Sequence, residues 1–167
     1  MINDKWIHQV ARTYVRNIVL KEATELESMA DAVHQAWMSR NPKADWNAAQ
    51  HVAYEDLPEA EKAKDRAHVT QMIQLMGTHP QQADEPHPQY LDRLANMFGA
   101  AAHEEWRRGH EAKNGEGAPR MKNVSDGTTV NINVPWEQLH PEWKQENYAA
   151  GLAAARIVHG MPWNPNT

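Results

Sequence analysis

Residues 32–37 have the sequence Ala-Val-His-Gln-Ala-Trp, and residues 101–106 have the sequence Ala-Ala-His-Glu-Glu-Trp. Both segments place a histidine three positions before a tryptophan, in the pairs His34 with Trp37 and His103 with Trp106. Residues three apart lie on the same face of a helix. Each segment also ends an amphipathic pattern, so the sequence predicts two helices that end in the same H-x-x-W motif.

A second pair of matching segments follows the first. Residues 52–58 (Val-Ala-Tyr-Glu-Asp-Leu-Pro) match residues 134–140 (Val-Pro-Trp-Glu-Gln-Leu-His). In the same register, Lys62 and Asp65 are matched by Lys144 and Asn147. The matches predict an internal repeat. One copy of about 50 residues would be marginally stable alone, so we expect the two copies to pack face to face about a pseudo-two-fold axis.

The pattern predicts a mostly α fold with short β-strands, built from two tandem helix–strand–helix repeats. Helices are expected at 4–20, 22–40, 58–77, 88–111 and 141–159, with one strand at 129–134 and an exposed loop at 113–128. A short extended segment is expected at 51–54. The predicted organisation is a first repeat with its N-terminal helix (1–77), a linker (78–87), a second repeat (88–160) and a loose C-terminal tail (161–167).

Composition excludes several classes of protein. The chain of 167 residues contains no cysteine, which excludes a disulfide scaffold, a zinc knuckle and a thiol nucleophile. The formal net charge of −5 disfavours general nucleic-acid binding. No apolar run is long enough for a membrane helix or a signal peptide, so we expect no membrane association and a cytoplasmic location. The Ala-rich face of the last helix suits close packing within the chain or between chains, which leaves a homo-oligomer possible.

Residues 32–42 (A-V-H-Q-A-W-M-S-R-N-P) and 51–66 (H-V-A-Y-E-D-L-P-E-A-E-K-A-K-D-R) resemble the ryanodine-receptor repeat domain. The pattern of that family is H-x-x-W with a following arginine, then V-P-Y-x-x-L-P and a lysine-rich helix. The second half matches more loosely and keeps His103, Trp106, Val134, Pro135, Leu139 and Lys144, with Trp136 in place of the tyrosine. The resemblance covers roughly residues 28–76 and 97–158, and only Trp46 represents the family's G-W-x-Y-G segment.

The resemblance implies a small helical unit with short antiparallel strands, duplicated about a pseudo-two-fold axis. It also implies a cleft between the copies that accepts a nucleotide or another flat ligand near the two H-x-x-W tryptophans. The resemblance to bacterial and phage members of this family also implies a nucleotide-sensing role in signalling or defence.

On this basis the hypothesis is a non-enzymatic protein that captures a nucleotide-derived small molecule in that cleft, as a sensor or a sponge, without cofactor or metal. Two indoles facing each other could stack a purine, at about 1–3 kcal/mol for each stack. Arginine is suited to bind phosphate and histidine to donate to phosphate or ribose. The candidate ligand-binding residues are His34, Trp37, Arg40, Tyr54, His103, Trp106, Arg107 and Trp136.

Two alternatives remain open. Tryptophans that end apolar stripes are often core residues, and the histidines could serve only to hold the following loop, which would make the chain a structural or protein–protein interaction module. A metal-dependent nucleotide hydrolase is the enzymatic alternative. The sequence disfavours it, because His103-Glu104-Glu105-Trp106-Arg107 lacks the second histidine of H-E-x-x-H and no E-x-x-D motif follows Glu22-x-x-Glu25.

Overall fold

The fold is that of a computed structural model, which describes residues 4–160, with the side chains of residue 12 and residues 21–160. It is mostly helical with a small antiparallel sheet, as the sequence predicts. The helices are α1 (Asp4–Arg40), α2 (Glu59–Thr78), α3 (His87–Asn114) and α4 (Pro141–Gly160), and the strands are β1 (Met121–Asn123) and β2 (Thr129–Asn131). The chain divides into two compact units, and the division falls inside α2 between Val69 and Thr70.

Helix α1 corrects the prediction of two N-terminal helices. It runs without interruption from Asp4 to Arg40. The residues at the expected break, 19–23, are Val-Leu-Lys-Glu-Ala and include no glycine or proline, so nothing there stops the hydrogen-bond ladder. The expected apolar stripe of Trp6, Val10, Tyr14 and Ile18 involves side chains outside the described residues.

A segment that links α1 to α2 forms the rest of the first unit. Residues 51–54 are not a strand as expected, because a 3₁₀ turn occupies Tyr54–Asp56. The phenol of Tyr54 is buried and donates to Glu27 of α1 at 2.9 Å. The guanidinium of Arg66 in α2 also binds Glu27, at 2.5 Å, and pairs with Glu59. Glu27 thus connects the turn to both helices.

The two-stranded sheet belongs to the second unit. Strand β1 pairs with β2 in antiparallel register, with Lys122 opposite Val130. The expected strand at 129–134 is confirmed over its first three residues, whereas the prediction of a loop throughout 113–128 is wrong for β1. The connecting turn is closed by Asp126, which accepts hydrogen bonds from the amide and the hydroxyl of Thr128, and by Gly127 with φ of 87°.

Helices α3 and α4 pack on each other through their small and apolar residues. Leu94, Ala95 and Phe98 of α3 are fully buried, as are Ala154 and Ala155 of α4. Of the alanines expected to make the close approach of α4 (149, 150, 153 and 154), only Ala154 is fully buried, and Gly151, Ala155 and Val158 complete the buried face. A Cβ on Gly151 would lie 2.8 Å from the carbonyl oxygen of Ala95, so only glycine fits at that position.

Candidate functional site

The imidazole of His34 links the C-terminal part of α1 to the following loop. Its Nε2 lies 2.8 Å from the carbonyl oxygen of Val52, and since a carbonyl can only accept, Nε2 carries the proton. The ring stacks on Trp37 at 6.0 Å between centroids and 15° between planes, and it tilts against Tyr54 at 6.4 Å. His34 itself is buried.

His103 makes contacts of the same kinds in the second unit. Its Nε2 donates to the carbonyl oxygen of Val134, also at 2.8 Å. The ring stacks on Trp106 at 5.6 Å and 16°, and it tilts against the buried Trp136 at 6.1 Å. Both H-x-x-W histidines therefore stack on their tryptophans and hold the start of a 3₁₀ turn, Tyr54–Asp56 in the first unit and Trp136–Gln138 in the second.

The lysine that follows each turn also has the same surroundings in both units. The ammonium of Lys62 lies 5.7 Å from the Tyr54 ring centroid and donates to the carbonyl oxygen of Glu55 at 2.8 Å. The ammonium of Lys144 lies 5.4 Å from the Trp136 centroid and lies 3.5 Å from the carbonyl oxygen of Glu137. These lysines close the 3₁₀ turns against an aromatic ring.

A cavity of about 270 Å³ lies beside the His34–Trp37 pair, and we call it the first-unit pocket. It is lined by His34, Trp37, Trp46, Gln50, Leu57, Glu61, Lys64, Asp65 and His68. Its one lysine is already paired, since the Lys64 ammonium lies 2.7 Å from Glu61. With neutral histidines, the lining charges leave this pocket with an excess of one negative charge, that of Asp65.

Asp65 is the most perturbed acid of the first-unit pocket. Its side chain is 15% exposed, and Oδ2 lies 3.6 Å from Nδ1 of His34. Burial raises the pKa of Asp65 to about 6, and the nearby Glu61 adds to the increase, while His34 and Lys64 oppose it. The carboxyl therefore changes its charge near neutral pH.

A cavity of about 350 Å³ lies beside the His103–Trp106 pair, and we call it the second-unit pocket. It is lined by His103, Trp106, Arg120, Lys122, Ile132, Leu139, Trp143 and Asn147. None of these described lining residues is acidic, and no described carboxylate pairs with the charged groups of Arg120 or Lys122. The two cations give this pocket an excess of two positive charges.

Trp143 places its ring at this pocket. Its indole nitrogen donates to the carbonyl oxygen of Asn123 at 3.3 Å, and the Lys122 ammonium lies 5.3 Å from its ring centroid. The other tryptophan of the pocket, Trp106, is near-parallel to His103 and also to His110, one helical turn further on, at 5.2 Å and 11°. Trp106 is exposed and Trp143 is half-buried, so both indoles border the pocket and each keeps part of its ring accessible.

The eight predicted site residues fall into two groups. His34 and Trp37 line the first-unit pocket, and His103 and Trp106 line the second-unit pocket. The other four line neither pocket: Arg40, Tyr54, Arg107 and Trp136. Trp136 instead borders a separate cavity of about 390 Å³ in the second unit, between its turn and α4.

Structural contacts occupy the predicted residues that lie outside the pockets. The guanidinium of Arg107 bonds to Glu104 at 2.9 Å and to the side-chain oxygen of Asn133 at 3.1 Å. Tyr54 is buried, and burial together with its hydrogen bond to Glu27 raises the pKa of its phenol to about 12. Arg40 is the last residue of α1.

Several pocket residues lie far in sequence from the H-x-x-W motifs that predicted the site. Arg120 and Lys122 flank Met121 at the start of β1, and the sheet brings them to the pocket. Besides the H-x-x-W motifs, the match of residues 52–58 with 134–140 and the match of Asp65 with Asn147 pointed to pocket residues, since Leu57 and Asp65 line the first-unit pocket and Leu139 and Asn147 line the second-unit pocket.

Neither a cluster of metal-ligating side chains nor a membrane-spanning helix occurs in the described part of the chain. Within residues 4–160, no group of three or more histidine, aspartate or glutamate side chains with described positions is arranged around a common metal site. No helix in the same range combines the length and the apolar character that a membrane crossing requires.

Comparison with known proteins gave no match, whether to a family model, to a curated protein or to a solved structure. The two pockets are therefore interpreted from their own geometry and charge.

Proposed function

We propose that this protein binds a nucleotide-derived small molecule without transforming it, and that the second-unit pocket holds the phosphate-bearing part of that ligand. The observation that carries the proposal is the pair of cations, Arg120 and Lys122, which line a tryptophan-bordered cavity together with no described acid. A cavity of about 350 Å³ is within the range of small-molecule sites.

Each lining group has a role that suits such a ligand. The planar guanidinium of Arg120 can bind two phosphate oxygens, and the ammonium of Lys122 can supply a point charge. The Trp143 ring offers a stacking surface for a base, and the amide of Asn147 offers both a donor and an acceptor. Local positive charge of this kind attracts anions even though the whole chain carries a net charge of −5.

We also infer that the two units are copies of one repeat, as in the ryanodine-receptor repeat domain that the sequence resembles. The equivalent contacts of His34 and His103, and of Lys62 and Lys144, support this inference. The pseudo-two-fold axis and the cleft between copies stay predictions from the sequence. The second-unit pocket lies within one unit and does not depend on them.

Calorimetric titration tests the proposal with a panel of mono-, di- and cyclic nucleotides and ADP-ribose derivatives, and with the matching nucleosides. We expect at least one phosphorylated ligand to bind, and its nucleoside to bind at least about tenfold more weakly, since the phosphate contacts are charge-assisted. A complete lack of binding would favour the interaction-module alternative. Metal-dependent release of product would favour the hydrolase.

A sensor and a sponge differ in whether a bound ligand changes the conformation or the partners of the protein. A sensor changes its conformation or its partners when the ligand binds, whereas a sponge only lowers the free ligand concentration. Small-angle scattering and chromatography of the free and bound protein separate these two roles.

A further inference from the structure

The two pockets have similar frameworks but opposite charge. Both contain an H-x-x-W histidine and tryptophan, and both contain the leucine that ends a 3₁₀ turn. The polar residue at the matched position differs, because Asp65 lines the first-unit pocket where Asn147 lines the second-unit pocket. The first-unit pocket also lacks, among its described lining residues, any counterpart of the unpaired cations Arg120 and Lys122.

We propose that the first-unit pocket is a separate binding site for a flat aromatic cation, with the ligand ring against Trp46 and its amine or amidinium group paired with Asp65. This proposal does not rest on the proposed function of the second-unit pocket, because the two cavities share no residue.

Trp46 provides the aromatic surface in a fixed position. Its side chain is 72% exposed, although the next residue, Asn47, is only 1% exposed. The Asn47 side chain accepts from the amide of Ala44 at 2.7 Å and donates to the carbonyl oxygen of Pro42 at 3.2 Å. The loop is therefore held by its own hydrogen bonds while the indole faces solvent, where a cation or a flat ring can cover it.

Asp65 provides the anionic partner. Lys64, the one lysine of the pocket, is engaged by Glu61 at 2.7 Å, so it leaves the Asp65 carboxylate without a strong counterion. Nδ1 of His34 lies 3.6 Å from Oδ2 of Asp65, and that nitrogen carries no proton when the ring is neutral. Burial raises the pKa of Asp65 to about 6, as expected for a carboxylate that lacks a compensating cation. A bound cation would supply that compensation.

Benzamidine and benzoate are the probes that test this site, since they have nearly the same flat shape and opposite charges. We expect calorimetry at pH 7.5 and low salt to show benzamidine binding at concentrations up to about 10 mM, the range of weak fragment affinity. Benzoate should bind at least about tenfold more weakly to this pocket. Because the second-unit pocket can itself take an anion, both probes are also titrated into Arg120→Gln/Lys122→Gln, and benzoate binding equal to that of benzamidine in this variant, or no binding of benzamidine, would overturn the proposal.

Three variants locate the site. Asp65→Asn should weaken benzamidine binding at least about tenfold, because it removes the charge and installs the amide found at Asn147. Trp46→Ala should weaken it by a similar factor, and this exposed position keeps the fold intact if Asp65→Asn does not fold. Glu22→Gln removes the same charge from the exposed surface of α1, about three turns before His34, and should leave the affinity unchanged. Unchanged affinity in both Asp65→Asn and Trp46→Ala would contradict the assignment.

The pH dependence gives an independent readout. Benzamidine binding should strengthen between pH 5 and about pH 7.5, as Asp65 becomes charged. Glu61, Lys64, His34 and His68 line the same pocket, so the Asp65→Asn variant is titrated in parallel and the difference between the curves isolates Asp65. Identical pH profiles for both proteins would contradict the pairing.

Discussion

The carboxylate of Asp65 faces the imidazole of His34, with 3.6 Å between Oδ2 and Nδ1. Because Nε2 of His34 donates to the carbonyl oxygen of Val52, the neutral ring presents a bare Nδ1 to the carboxylate. Oδ2 of Asp65 and Nδ1 of His34 are then both acceptors, and a proton on either atom removes this acceptor–acceptor contact. Burial of the carboxyl raises the pKa of Asp65 to about 6, and the nearby His34 opposes that increase only in part.

The Asp65→Asn variant should therefore change how stability depends on pH. A carboxyl whose pKa rises from 3.8 to about 6 on folding favours the folded state most below pH 4, and that contribution is lost as pH rises to about 6. The loss amounts to roughly 2–3 kcal/mol for a shift of this size. Asp65→Asn should thus be more stable than the wild type at pH 7.5, with the gain disappearing near pH 4. Chemical denaturation at both pH values checks this, and parallel curves for the two proteins would contradict it.

His103→Ala should destabilise the second unit, because it leaves the carbonyl oxygen of Val134 without its imidazole donor in a partly buried place. The expected loss in the free energy of unfolding is about 2–3 kcal/mol. Glu105→Ala, at an exposed position of the same helix, is the matched control and should change stability by less than about 0.5 kcal/mol. Equal effects of both substitutions would mean that the histidine does not hold the turn.

Gly151→Ala should lower stability even though alanine is the better helix former. The added Cβ would lie 2.8 Å from the carbonyl oxygen of Ala95 and 3.0 Å from Cβ of Phe98, so α3 and α4 must separate. Overpacking of this kind costs about 1–3 kcal/mol. Gly109→Ala in α3 meets no atom within 4 Å and should raise stability by up to about 1 kcal/mol. Thermal unfolding of both variants compares them, and a stabilised Gly151→Ala would refute the tight contact.

Truncation to alanine should lower the stability of the protein at Trp136 but leave it nearly unchanged at Trp46. Trp136 is 7% exposed and packs with Ile132 and Leu139, so Trp136→Ala should cost about 3–5 kcal/mol. Trp46 is 72% exposed, so Trp46→Ala should change stability by less than about 0.5 kcal/mol. Denaturant titration distinguishes the two roles, and a large loss for Trp46→Ala would show that its indole is structural.

Local signals made much of the fold predictable. Pro58 directly precedes α2, Gly77 lies one residue before its end, Pro141 begins α4, and the β-branched alternation from Thr129 marks β2. The break expected in α1 was wrong, because residues 19–23 contain no glycine or proline that would stop the helix. Strand β1 was missed because Met121–Asn123 has little strand character of its own and pairs only once the Asp126–Gly127 turn brings β2 alongside.

The pockets were less predictable than the fold. The H-x-x-W motifs identified one wall of each pocket, since helical spacing alone aligns His34 with Trp37 and His103 with Trp106. The sequence predicts that arginines near those tryptophans bind phosphate, yet Arg40 and Arg107 line neither pocket, and Arg107 pairs with acids on its own helix. Arg120 and Lys122 reach the second-unit pocket at the start of β1, and no sequence pattern around the H-x-x-W motifs predicts that position.

The most direct test of the central claim is the affinity of the tightest phosphorylated ligand for the double variant Arg120→Gln/Lys122→Gln, measured by calorimetry at fixed low salt. The charge-matched control is Arg108→Gln/Lys113→Gln, two exposed cations of α3 outside the pocket. We predict that the pocket variant loses at least about tenfold in affinity while the control stays within about twofold of the wild type. Equal losses in both variants, or no loss in the pocket variant, would contradict the assignment of the second-unit pocket as the phosphate site.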